Sequence, residues 1–206
     1  MKQRDKIGTV QHDWNKAVLL GKFRITTFYN LLNDDGHCVP WHSMIQHKAR
    51  PRAIVCLWMA CHGKLPTRER LRRFGMIQVS HCVLCGIEEE SHDHLFFKCS
   101  KTESIWKEVL NWMEMDHRPQ EWAKELEWLT IATKKKGWKA SLLSMGIAET
   151  VYNIWRMRNS ICFKDDVDNT CIFDRIKECI DRIKDSIVYR ACHSTKLRHH
   201  IARIMM

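Results

Sequence analysis

The chain has 206 residues, 45% of them hydrophobic, and its 34 Lys and Arg against 24 Asp and Glu leave a formal net charge of +10. That length supports one real core and a small satellite module, and the charge points to an acidic partner, of which nucleic acid is the commonest. The longest unbroken apolar run, Ile54–Cys61, is too short to cross a bilayer, and the polar opening Met1-Lys2-Gln3-Arg4-Asp5-Lys6 lacks the apolar stretch of a signal peptide; no membrane partner is expected, and the chain is read as intracellular.

Only four Pro and eight Gly interrupt the sequence, so it is expected to be mainly helical. Phe23–Tyr29 reads as a strand or as the start of a helix ending near Leu32, and Asn33-Asp34-Asp35-Gly36 is a turn signal. Arg52–Cys61 reads as a buried helix stopped near Gly63. A second short helix follows Leu65-Pro66-Thr67, with Thr67 as N-cap and Gly75 as its stop. Ser100-Lys101-Thr102-Glu103 has the spacing of a capping box. The helix it opens carries Ile105, Trp106, Val109, Leu110 and Met113 on one face. Pro119 opens a helical region through Leu129, and Lys134-Lys135-Lys136-Gly137 is an exposed connection. Trp138–Cys162 repeats the helical pattern with Leu142, Met145, Val151, Ile154, Trp155 and Ile161. A last amphipathic helix runs from about Thr170 to Tyr189 on a stripe of Ile172, Ile176, Ile180, Ile183 and Ile187. Lys196–His200 reads as a basic end without fixed structure.

Ten cysteines in a reducing compartment are metal ligands or small core residues, not a disulfide framework. Cys82, Cys85, His94 and Cys99 form the pattern C-x2-C-x8-H-x4-C. Two cysteines two residues apart make a knuckle in which both sulfurs reach one metal, and Gly86 lets the chain turn behind them. A thiolate and imidazole set of this kind suits Zn2+. Four protein ligands leave no open position, so the site is expected to be structural. His81 and His92 are rival ligands; His94 is preferred because His94-Leu95-Phe96-Phe97-Lys98-Cys99 sets imidazole and thiol at the edge of one apolar segment. A redox reading of the Cys-x-x-Cys pair lacks a thioredoxin-like context. Glu88, Glu89 and Glu90 are read as solvated, and no catalytic constellation is found, so an enzyme is not expected.

These residues resemble the zinc-binding domain at the C-terminal end of plant LINE-type, non-LTR retrotransposon reverse transcriptases. The resemblance rests on Phe23-Arg24-Ile25 with Tyr29 and Leu32, on Trp41, on Arg50-Pro51-Arg52 before Leu57-Trp58, and on Gly63-Lys64-Leu65-Pro66-Thr67-Arg68-Glu69-Arg70-Leu71. It continues through the cysteine cluster and Trp106 to Tyr152-Asn153-Ile154-Trp155-Arg156-Met157-Arg158-Asn159, similar to a Trp-Arg-x-Arg-Asn segment in which Met157 replaces a common acidic residue. It implies a zinc-binding domain over residues 20–115, with its zinc module at 80–100, and a helical C-terminal extension over 116–206. The chain carries no Asp-Asp polymerase box and looks like the detached tail of such an element.

Basic residues cluster at Lys48, Arg50, Arg52, Lys64, Arg68, Arg70, Arg72 and Arg73, with Glu69 as the one acid among them. If the zinc module packs on the Thr67–Phe74 helix, Arg68, Arg72 and Arg73 would face phosphates beside it, adding affinity without sequence readout; a plain solvated face is the competing reading. Lys134–Lys136 is a candidate nuclear-import element, although an exposed loop reads better. Trp58, Trp106 and Trp155 read as core residues. The sequence therefore predicts a zinc-dependent binder of RNA or DNA with little sequence preference. A protein-interaction module and a transposon relic without present function are the alternatives.

Overall fold

The structure is a computed structural model describing residues 18–19, 22–23, 44–45, 49–135, 137–163, 171–195, 197–200 and 202. Residues 1–39 and 40–206 form separate compact units. In the first, β1 (Val18–Leu19) pairs antiparallel with β2 (Lys22–Phe23), Val18 opposite Phe23 and Leu19 opposite Lys22. Phe23 is thus in a strand, while the rest of the strand-or-helix segment and the turn signal at 33–36 lie outside the described residues.

The second unit is helical, as the sparse Pro and Gly predict. It comprises α1 (Pro51–Cys61), α2 (Arg68–Arg73), a π turn (His94–Lys98), α3 (Glu103–Trp112), α4 (Trp122–Lys134), α5 (Trp138–Phe163), α6 (Ile172–Cys192) and a 3-10 turn at Arg198–His200. No helix among the described residues is long and apolar enough to cross a membrane. Helix α5 is the axle: α1, α3, α4 and α6 all pack against it, and it is buried almost continuously from Ala140 to Ile154. The packing runs across residue 116 and joins the stretches on either side of it.

Helices α3 and α6 bury the faces that their apolar spacing dictates. Ile105, Trp106, Val109 and Leu110 of α3 are inaccessible, and Ile180, Ile183 and Ile187 carry the stripe of α6. Trp106 is a core residue, whereas Trp58 and Trp155 are half-buried. Met157 is also buried. Helix α1 starts at Pro51, whose missing N–H costs nothing there. The expected buried helix is buried on one face, through Ala53, Cys56, Leu57 and Ala60, while Val55 is 56% exposed.

Two helix starts also differ from their sequence signals. Helix α3 begins at Glu103, with Thr102 as N-cap and no side-chain cap bond. The Ser100 capping box does not form, because Ser100 lies in the turn ahead of the helix, where the Thr102 and Glu103 N–H groups donate to the Cys99 carbonyl at 2.9 Å; the Thr102 hydroxyl donates to the Leu95 carbonyl of the π turn at 2.7 Å. Helix α4 starts at Trp122, three residues after Pro119, where the Trp122 N–H donates to Asp93 at 2.7 Å. Residues 197–200 of the basic tail are structured too: Leu197 is buried and His200 stacks on Trp138 with ring centroids 4.7 Å apart.

Three buried carboxylates cross-link this body. Glu149 of α5 accepts from the Arg50 guanidinium at 3.0 Å. Glu125 of α4 accepts from the Trp106 indole N–H at 2.7 Å and the Gln120 N–H at 2.9 Å, with His117 Nε2 also 2.9 Å away. The third, Glu90, belongs to the site.

Candidate metal centre

Residues 80–90 fold into a knuckle. An antiparallel bridge joins His81 to Glu89, and the Glu90 N–H donates to the Ser80 carbonyl at 2.8 Å. Between these rungs the Cys82 N–H reaches the Glu88 carbonyl at 2.7 Å and the Gly86 N–H returns to the Cys82 carbonyl at 2.8 Å. Gly86 sits at φ 73°, in the left-handed region a glycine enters without a Cβ penalty. The Leu84 and Cys85 N–H groups also point at the Cys82 sulfur, and such N–H···S contacts stabilise a thiolate.

The other two donors come from the π turn. Its i→i+5 bond, from the Cys99 N–H to the His94 carbonyl at 2.7 Å, is wider than an α-helical turn and brings the imidazole and the following thiol towards one side. Leu95, Phe96 and Phe97 are buried beneath it, and both phenyl rings lie against Trp122, with centroids 5.3 and 5.4 Å away. The apolar segment thus anchors the turn to α4.

The ligand atoms of Cys82, Cys85, His94 and Cys99 lie within 4.8 Å of one another. Cys82 Sγ is 4.0 Å from Cys99 Sγ, and Cys85 Sγ is 3.3 Å from His94 Nε2. A tetrahedral zinc with bonds of about 2.3 Å to sulfur and 2.0–2.1 Å to nitrogen sets S···S near ~3.8 Å and S···N near ~3.5 Å. These two distances are close to those of a tetrahedral metal site. Thiol chemistry agrees. The hydrogen bond from Cys82, with the Lys101 N–H and nearby His94 assisting, pulls Cys99 down to about 5, while that same bond and burial push Cys82 up. A metal ion binds the deprotonated sulfurs, so its binding would release the thiol proton.

His94 is buried, with Nε2 facing the sulfurs and Nδ1 3.2 Å from Glu88 Oε2. A carboxylate on the outer nitrogen fixes the tautomer that leaves Nε2 free to ligate. His92 and His81 stand outside the cluster. The His92 ring faces Trp122 at 6.5 Å and its Nε2 has no hydrogen-bond partner, while His81 is exposed in the bridge.

The glutamates of the loop divide. Glu88 and Glu89 are exposed, but Glu90 is fully buried, which corrects the reading of all three as solvated. Its Oε1 accepts from the Arg68 N–H at 2.9 Å and from Arg158 Nε and Nη2 at 3.0 and 2.7 Å. It thereby supplies the cap that α2 lacks from Thr67, whose buried hydroxyl has no partner. The knuckle packs on α2 as anticipated. Of the three arginines predicted to meet phosphate, Arg72 pairs with Glu89 at 2.7 Å and Arg73 pairs with Glu69, both largely exposed. The Arg68 Nε donates to the Val79 carbonyl at 3.3 Å. Exposed pairs of this kind are worth only ~0–1 kcal/mol, so a phosphate can replace the carboxylate at little cost. Sequence reading missed Glu88, Glu90 and Arg158 as parts of the site; the one available cue was an arginine in the segment resembling Trp-Arg-x-Arg-Asn.

Fold and site together define a helical module bearing a four-donor Cys/His cluster that could hold a metal ion. Residues 23–106 match a family model described as zinc-binding in reverse transcriptase, which supports a reverse transcriptase zinc-binding domain there. The match contains all four donors and α2, and it ends before α4, α5 and α6. No curated protein and no solved structure gives a significant match.

Proposed function

We propose that the chain is a zinc-binding, non-catalytic module descended from a LINE-type retrotransposon reverse transcriptase of the plant kind, and that it binds RNA or DNA with little sequence specificity. The observation that carries this reading is the packing of the four-donor knuckle on α2, which puts Arg68 and Arg72 against the metal loop, with Arg73 exposed on the same short helix. Three thiolates and one imidazole favour zinc, and bound zinc supplies folding energy here, not reactivity. We place the protein inside the cell, where such thiols stay reduced.

The test is binding of fluorescent single-stranded and duplex oligonucleotides across a salt series. Charge reversal at Arg68, Arg72 and Arg73 is expected to weaken binding uniformly across sequences and to flatten the salt dependence by about one unit of slope per lost phosphate contact. Absence of affinity for every oligonucleotide at low salt sinks the reading.

A second reading, a protein-interaction module, is favoured by one feature. Between α1 and α5 lies a groove of about 620 Å³ with lining that includes Val55, Met59, Leu71, Met76, Trp155 and Phe163. Val55, Met76 and Phe163 are 56%, 70% and 78% exposed, and apolar exposure of that kind marks contact surfaces. Val55→Glu with Met76→Glu abolishes partner binding under this reading and leaves oligonucleotide binding intact under the first.

A further inference from the structure

We propose that Glu90 is a positioning residue through which metal occupancy is transmitted to the arginine helix α2 and to Arg158 of α5. The inference rests on the metal reading above and assigns a regulation to the proposed nucleic-acid surface.

Glu90 belongs to three elements at once. Its main chain closes the knuckle through the Ser80 carbonyl, and its own carbonyl accepts the Glu69 N–H of α2 at 3.2 Å. Its side chain accepts the Arg68 N–H, both Arg158 donors and, through Oε2, the Val83 N–H at 3.4 Å, from inside the Cys82–Cys85 knuckle. Neither charge of the pair reaches water: Arg158 and Glu90 side chains are 3% and 0% exposed. Among the described residues, Arg158 also meets Asn159 Oδ1 at 2.9 Å and the Trp155 ring at 4.9 Å, neither of which carries a negative charge.

A buried ion pair is tolerable only while its geometry is kept, because an unpaired buried charge is strongly destabilising. What links Glu90 to the metal is the knuckle, through its main-chain rung to Ser80 and the Val83 N–H. Within residues 80–90, Cys82 and Leu84 are the only apolar side chains fully buried, so the knuckle's own apolar anchorage is slight and the metal is its main fastener. When the metal leaves, Glu90 is free to shift. Helix α2, six residues long, then loses the carboxylate that caps it, and so short a helix does not persist by propensity alone. Arg158 is left as a buried cation, and the last turns of α5 must open to hydrate it. Metal occupancy is thus felt on α2, where the phosphate-facing arginines sit, and on a helix beyond the family match.

The test uses the full chain as wild type, Glu90→Gln, and Glu90→Gln with Arg158→Gln; the double variant guards against misfolding around an unpaired arginine. Site formation is read from the absorption spectrum of bound Co2+. Amide hydrogen exchange is read with metal and after chelation, alongside binding of a fluorescent single-stranded oligouridylate. In the wild type, chelation is expected to speed exchange across α2 and Tyr152–Asn159 and to weaken the oligonucleotide about tenfold. In the double variant the tetrahedral cobalt spectrum is retained while exchange at Tyr152–Asn159 no longer responds to chelation. Unchanged wild-type exchange on chelation overturns the proposal, as does a wild-type response in the double variant. Absence of oligonucleotide binding with an intact exchange response overturns only the nucleic-acid reading and leaves the relay standing.

Discussion

The knuckle and the helical body solve the same problem with different materials. Over residues 80–90 the chain buries Cys82 and Leu84 and little else that is apolar, whereas α3 alone buries Ile105, Trp106, Val109 and Leu110. Hydrophobic burial drives the body; converging donors, backbone rungs and one buried carboxylate shape the knuckle. The two regions should therefore fail under different insults, although Glu90–Arg158 ties them together.

Metal withdrawal is expected to have the largest effect, because a structural zinc contributes on the order of 10 kcal/mol to the segment it closes. The wild type should carry one zinc per chain by elemental analysis. Cys85→Ser and His94→Ala should carry little after dialysis, with residues 80–99 losing exchange protection before the body does. His92→Ala should keep its zinc, and equal zinc in His94→Ala and wild type would reject the donor set. Next comes the reciprocal insult. Trp106→Ala empties the centre of the body and should cost about 3–5 kcal/mol in denaturant unfolding, while zinc stoichiometry at low denaturant stays unchanged. A lost cobalt spectrum in that variant would erase the distinction between the regions.

Glu88→Gln should act on the knuckle alone. It weakens the acceptor on His94 Nδ1 and is expected to lower metal affinity by about tenfold, the modest end of such effects, because Glu88 is exposed. Competition with a chromophoric chelator measures it, and Glu88→Asp should recover part of the loss. The smallest effect is in the body and depends on pH. Burial pushes the thiols of Cys56, Cys61 and Cys179 up from 9.0 to about 12. Unfolding lets them ionise near 9, so their contribution is complete below that pH and declines as pH rises towards 12. Denaturant midpoints of the zinc-loaded chain should fall over that window, and replacing the three thiols by alanine should flatten the decline.

Much of the body was legible in the sequence, because apolar spacing of three and four residues selects a helix and its buried face with little outside help. That is why the stripes of α3 and α6 lie where their isoleucines, valines and leucines predict. The helix starts were less legible: the Glu103 N–H is taken by the Cys99 carbonyl and the Trp122 N–H by Asp93, so groups from the neighbouring turn satisfy the first backbone donors. The spacing of the four metal donors was likewise local information, since a knuckle and a π turn are each built from a few consecutive residues.

What the sequence by itself determined is therefore a helical body and a Cys-Cys-His-Cys set whose spacing suits one metal. Only the tertiary structure decided which histidine nitrogen faces the sulfurs, that Glu88 holds the other one, and that Glu90 is buried while its two neighbours are not. It also showed Arg72 and Arg73 facing carboxylates and Arg158, from the far end of α5, closing on the knuckle. The physical reason is the same each time: a charge's burial and its partner depend on residues brought together across the chain, and three consecutive glutamates carry no local mark of which one will meet an arginine 68 residues away.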